Sequence, residues 1–282
     1  MRQPRLLPRH SERLLAGARR NRSGVIGAVL VTMLLVVGAL APVVAPHGPN
    51  DLAGAANLAS SLEHPLGTNR FGQDVLSRTM YGARLSFQVA ILAALGATAT
   101  GASLGAYAAY RGGWVDLVIQ RLVDAAIAFP PLALLLIAAR FAAPTALSLM
   151  IMVGAILVPG VARVVRSAAV AERQRDYIRA AEALGASGVR VFAQHLLFNL
   201  IPIAIILCAN TIATAILAET TLSFLGLGAS TTAASWGGDI NSARAALPAN
   251  VPAMLAPGLA ITAAVLGFNL LSDGLADLFS GR

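Results

Sequence analysis

The chain has 282 residues, of which 57% are hydrophobic and 12% charged, and its net charge is +8. Soluble domains carry roughly 25% charge, so this composition, with a mean hydropathy of +0.72, excludes a water-soluble globule and places the chain in a membrane. All 21 basic residues are arginine; no lysine is present for a phosphate loop or a Schiff base, and the lone Cys208 excludes a disulfide framework and a cysteine-built metal site.

Residues 1–23 form a basic tail carrying Arg2, Arg5, Arg9, Arg13, Arg19, Arg20 and Arg22. The first charge-free stretch, 24–46, is long enough to cross the hydrocarbon core and exceeds a signal-peptide core, so a retained anchor helix is expected. Residues 47–84 read as an external loop with an amphipathic helix at Gln73–Arg84. The rest, 85–282, supplies five further apolar windows, at Leu85–Tyr110, Val118–Ala139, between Arg140 and Arg163, between Arg190 and Glu219, and between Arg244 and Asp273. The expected fold class is therefore an all-α integral membrane protein with six transmembrane helices.

Arginine placement orients it. With the N-terminus inside, sixteen arginines fall on the cytoplasmic side and five (Arg70, Arg78, Arg84, Arg140, Arg244) outside, so both termini are expected in the cytoplasm. The positive charge then serves topology and contact with anionic lipid, and no nucleic acid is expected as a partner.

The cytoplasmic segment 166–199 is the longest polar stretch between spans on its side of the membrane. Val170–Leu184 lacks Gly and Pro and predicts a helix, with Ala180, Ala181 and Leu184 on one face. Gly185 suits its C-terminus, and Val189–Leu200 resumes as a second helix leading into the fifth span. A helix, turn and helix should protrude into the cytoplasm.

No catalytic constellation stands out. His10, His47, His64 and His195 lie in four separate segments without a His-Glu-x-x-His pattern, and no serine has a Gly-x-Ser-x-Gly context, so neither a metal centre nor enzymatic activity is expected. Intramembrane ionisable groups are the remaining functional candidates. Asp124 lies one turn from Arg121, which suggests an ion pair aiding insertion, with a proton or substrate site as the alternative. Pro130-Pro131 should break the third span, as a structural kink or beside a water-filled path. Glu219 either hydrogen-bonds the following Ser223–Gly228 segment, which contains Phe224, or faces a translocation path. Trp236 is expected as an interfacial aromatic anchor.

Three separated stretches together resemble a known family. Asp176-Tyr177-Ile178-Arg179-Ala180-Ala181-Glu182-Ala183-Leu184-Gly185, followed by His195-Leu196-Leu197-Phe198-Asn199, is similar to the EAA loop of ABC importer permeases. The segments His64-Pro65-Leu66-Gly67-Thr68-Asn69 with Gly72–Arg78, and Ala218–Gly228 continuing to Ser235-Trp236-Gly237, resemble the dipeptide/oligopeptide/nickel branch, and within it the second, C-type permease. Two positions depart from the pattern: Arg179 stands where the family has a leading Glu, and Phe198 where a Pro usually follows.

The resemblance implies a type I ABC importer permease of a bacterial inner membrane, with a coupling-helix loop. Asp176, Tyr177, Arg179, Ala180, Ala181, Gly185 and His195 would couple to an ATPase, with Arg175 and Arg179 as guiding charges. Asp124, Pro130, Glu219 and Phe224, read from the residues themselves, are the candidates for the pathway or its gate. Implied partners are a homologous second permease subunit, one or two cytoplasmic ATPases, an external substrate-binding protein and membrane lipid. The chain itself needs no cofactor, and ATP and Mg would bind the ATPases. Peptides are the expected cargo; nickel, haem or another small solute are alternatives, as are a secondary transporter or a membrane scaffold.

Overall fold

The computed structural model describes residues 21–229, 232–244 and 250–280. The tail arginines up to Arg20, His10 and Arg282 lie outside the described residues. Helices α1 (Arg22–Val44), α2 (Val75–Arg111), α3 (Gly113–Ala128), α4 (Pro131–Phe141), α5 (Ala146–Arg173), α6 (Asp176–Ala183), α7 (Gly188–Phe224), α8 (Trp236–Arg244) and α9 (Pro252–Ser280) follow in order. Five are long and apolar enough to cross a membrane, and counting the bent pair α3–α4 as one span gives six.

The helix expected to end at Arg84 does not. From Val75 it runs on through the second span for 37 residues, about 55 Å at 1.5 Å per residue. Asp74 starts it by accepting from the Ser77 amide at 2.8 Å, and nothing between Tyr81 and Leu85 breaks helical geometry. This long rod organises the bundle, because α1, α3, α5, α7, α8 and α9 all touch it. Its buried face is built mostly of small residues, with Val89, Ala90, Ala94 and Ala97 fully enclosed.

The third span breaks where its prolines stand. Phe129 and Pro130 are both extended, each preceding a proline that disfavours the helical region, and α4 leaves α3 at 86°.

Two clusters hold the bundle. One joins Phe87, Leu135, Leu149, Ile216, Leu222, Trp236 and Phe268. The other, towards the opposite end of α2, joins Ala106, Val161, Val165, Ile178, Val191 and Leu196. Trp236 is therefore not the interfacial anchor expected. It is fully buried, meets Phe87 edge-on at 5.4 Å and donates its indole N–H to the Thr79 carbonyl at 3.0 Å. Its partners lie about 150 residues earlier, beyond any local pattern.

Helix α1 is apolar on every side and is held by its seam with α9. Asn21 caps α1 by accepting from the Gly24 amide and also donates to the Gly274 carbonyl. At Gly27 a Cβ would stand 2.5 Å from the Leu271 amide nitrogen and 2.7 Å from the Gly267 carbonyl oxygen, so the backbones touch where the side chain is missing. Gly27→Leu is expected to lower stability by about 1–3 kcal/mol through overpacking, read as an earlier thermal unfolding in detergent; an unchanged melt would refute the close seam.

Candidate functional site

The segment between α5 and α7 is not the single helix followed by a turn that helix propensity suggests. Helix α5 stops at Arg173, Gln174 and Arg175 turn, and α6 begins at Asp176. The reason is tertiary: Ile178, 1% exposed, packs among Ala106, Val165, Val191 and Leu196, and the chain must turn back to seat it. After α6 the turn occurs where expected, at Gly185, whose φ is +83°. There the Ala186 amide donates to the Ala181 carbonyl and the Leu184 amide to the Ala180 carbonyl, the pattern of a glycine-closed helix end.

Ile178 fixes one side of α6 and leaves the other free. Asp176, Tyr177, Arg179, Ala180 and Gly185 are exposed, Ala181 is half-buried and Leu184 is 88% exposed. Of the face read from sequence, only Ala181 leans inwards; Ala180 and Leu184 present an apolar surface beside Tyr177. Arg175 does not stand free, because it pairs with Glu172 at 2.9 Å. Arg179 makes no ion pair among the described residues.

A hydrogen-bond chain ties α6 to α7. The Tyr177 hydroxyl donates to Glu172 at 2.7 Å and accepts from Asn199 at 3.0 Å, and Asn199 also donates to the His195 carbonyl. Partial burial, then the Glu172 carboxylate, push the Tyr177 phenol up to about 12, so it remains a donor at any physiological pH. His195 is half-buried with its ring 6.3 Å from that of Tyr177, a packing role. The stretch Val191–Leu197 is π-helical; its wider turn points both Val191 and Leu196, five apart, into the core. On the other side, Arg173 donates to the Ala109 carbonyl, and Phe192 packs on Tyr107 and Tyr110. The segment is thus bonded to the ends of α2, α5 and α7 while its outer face stays open.

The candidate pathway residues are scattered. Asp124 pairs with Arg163 of α5, not with Arg121, since the neighbouring helix offers a nearer guanidinium than the next turn of its own. Both side chains are about half exposed (51% and 49%). One turn nearer the C-terminal end of α5, Arg166 holds Asp116 with two hydrogen bonds. Pro130 marks the α3–α4 bend. Glu219 is fully buried and accepts from Ser223 at 2.6 Å and from Ser86 of α2 at 2.9 Å, so of its two readings the hydrogen-bonded one describes this conformation. Phe224 ends α7 with the Arg244 guanidinium 5.8 Å from its ring centre.

At the far end of α2 from α6 lies an open cavity of about 610 Å³, bordered by Asn50, Arg70, Phe71, Gln73, Ser235 and Asn241. Beside it a buried pair escaped the sequence: Arg78 meets Asp239 at 2.7 Å and also donates to the Pro49 carbonyl. Burial pushes the Asp239 carboxyl up to about 6, more than Arg78 lowers it. Residues 161 apart leave no local signal. The four histidines are also less separate than they read, because His47 and His64 meet at Asp74.

Residues 101–282 match the binding-protein-dependent transport system inner membrane component, and residues 18–65 the N-terminal transmembrane domain of oligopeptide transport permease C. The chain belongs to this permease family. It is 34% identical over 260 residues to a dipeptide transport system permease protein of Alkalihalophilus pseudofirmus, covering 92% of this chain and 86% of that one. A Brucella suis protein provisionally named a peptide permease is 37% identical over 266 residues, covering 93% and 88%. The chain is accordingly a multi-pass, helical transport permease.

Proposed function

We propose that this chain forms half of the translocation pathway of an ATP-driven importer for di- or oligopeptides, in a bacterial inner membrane with both termini cytoplasmic. The observation that carries the reading is α6: a short helix hydrogen-bonded through Tyr177 to α5 and α7 and seated by Ile178 in the cluster that includes Ala106 of α2, with Ala180, Leu184 and Arg179 open on its outer side. A surface so held transmits displacement to the spans. Its occupant is an ATPase subunit carrying ATP and Mg, which switches the assembly between inward- and outward-facing states. A second permease subunit completes the pathway, and an external binding protein delivers the peptide. The peptide cargo rests on the names of the similar proteins.

The half-exposed Asp124–Arg163 pair supports placing the pathway along α3, α4 and α5. Charges open at that depth face water or a protein partner rather than lipid, and the Pro130 bend turns α4 away beside them. Glu219 then acts from behind, tying α7 to α2.

The test is purification of the tagged chain from native membranes in gentle detergent, together with peptide uptake by cells. A second six-span permease and one or two ATPases should co-purify, and uptake should need the chain. An ATPase-free homo-oligomer would favour a secondary carrier or scaffold; an intact complex that ignores peptides but takes up nickel or haem would move the cargo alone.

A further inference from the structure

The segment joining α1 to α2 contains a constellation that the transport reading does not use. One ligand-capable atom from each of His47, His64 and Asp74 lies within 4.8 Å of the other two. His64 Nδ1 is 3.2 Å from Asp74 Oδ1, about the ligand–ligand spacing of a tetrahedral ion with bonds near 2.0 Å. The His47 ring lies 5.3 Å from the His64 ring, and its Nδ1 is buried with no hydrogen-bond partner among the described residues.

Charge points the same way. Asp74 is completely buried, and among the described residues it has no arginine partner; its one ion-pair partner, His64, is charged only when protonated. Buried carboxylates are paired or hold metals. The two oxygens divide their work. Oδ2 accepts from the amide and hydroxyl of Ser77, while Oδ1 faces His64. Ser77 also fixes the third member, since its Oγ accepts from the His47 amide at 3.1 Å. One serine therefore positions two of the three residues, an outer-shell arrangement typical of metal sites.

We propose that His47, His64 and Asp74 bind one divalent transition-metal ion of the zinc class, which clips the segment between α1 and α2 onto the start of α2. Two imidazoles and a carboxylate suit zinc, cobalt or nickel over magnesium or calcium, and water completes the coordination. Closing the set requires the His47 ring to approach by up to about 1.5 Å. The clip is a resident structural ion, independent of cargo and of the coupling segment.

The experiment uses the full-length chain with a histidine-free tag, purified in detergent, stripped with EDTA and reloaded with Co²⁺ or Zn²⁺. Wild type and His195→Gln should each retain one ion per chain, with the visible absorption of four-coordinate cobalt. His47→Gln should bind more than about tenfold more weakly. Asp74→Asn keeps an acceptor for Ser77, provides a second ligand-deficient chain should His47→Gln fail to fold, and should lose the ion equally. X-ray absorption on the wild-type zinc form should show two imidazoles. Wild type that retains no ion, a zinc spectrum without imidazole, or variants that bind as wild type would overturn the site.

Discussion

Gly185→Asp should abolish uptake while the chain still inserts and folds. At φ +83° most residues with a Cβ cost about 1–2 kcal/mol, Asn and Asp less, and the strain falls on the turn that sets α6 against α7. A Cβ at Gly185 would meet nothing within 4 Å, so no core contact is lost and insertion is spared. What changes is the pose of Tyr177, Ala180 and Leu184, together with a new negative charge near Arg179, which makes no ion pair among the described residues. Substitution separates the two causes. Gly185→Asn tolerates the left-handed backbone and adds no charge, so it should keep most uptake; Gly185→Val, branched at Cβ, should lose most of it through the backbone alone. Uptake and the amount of co-purified ATPase are the measurements. Normal uptake by a correctly inserted Gly185→Asp chain would remove α6 from the coupling role.

The spans were legible because an apolar helix long enough to cross lipid is a local property of sequence, and so were the Pro130 break and the Gly185 turn, where backbone chemistry leaves few options. Interiors were not. Asp124 reads as the partner of Arg121 at helical spacing, yet Arg163 on another helix is nearer in space. Trp236 has the composition of an interfacial anchor and the environment of a core residue, because α8 folds back over Thr79 and Phe87. The turn at Gln174 has no breaker to announce it; burial of Ile178 imposes it. His47 and Asp74 belong to one cluster only because Ser77 reaches both.

Arg78 shows the same limit with the largest energetic consequence. In sequence it is one of five external arginines; in the fold its side chain is 9% exposed and that of Asp239 10%. Asp239→Ala leaves the guanidinium buried without its carboxylate and should destabilise by about 3–5 kcal/mol, whereas replacing both, as Arg78→Met with Asp239→Leu, should restore most of the loss. Thermal unfolding of the single and double variants in detergent measures both. The titration supplies a separate check. Asp239 Oδ2 is buried with no partner among the described residues, and burial holds the carboxyl near 6 instead of its ordinary 3.8. A value raised by folding means the folded chain binds the proton more tightly. This group's contribution to stability is therefore complete below about pH 4 and is lost as pH rises through 6. Between pH 7 and 5 wild type should gain stability from this group, and Asp239→Asn, unable to titrate, should lack that increment while keeping every other pH effect. Parallel pH profiles for the two chains would mean that Asp239 stays ionised throughout, with Arg78 outweighing its desolvation. The pair would then be a fixed clasp between α2 and α8, insensitive to the acidity of the compartment it faces.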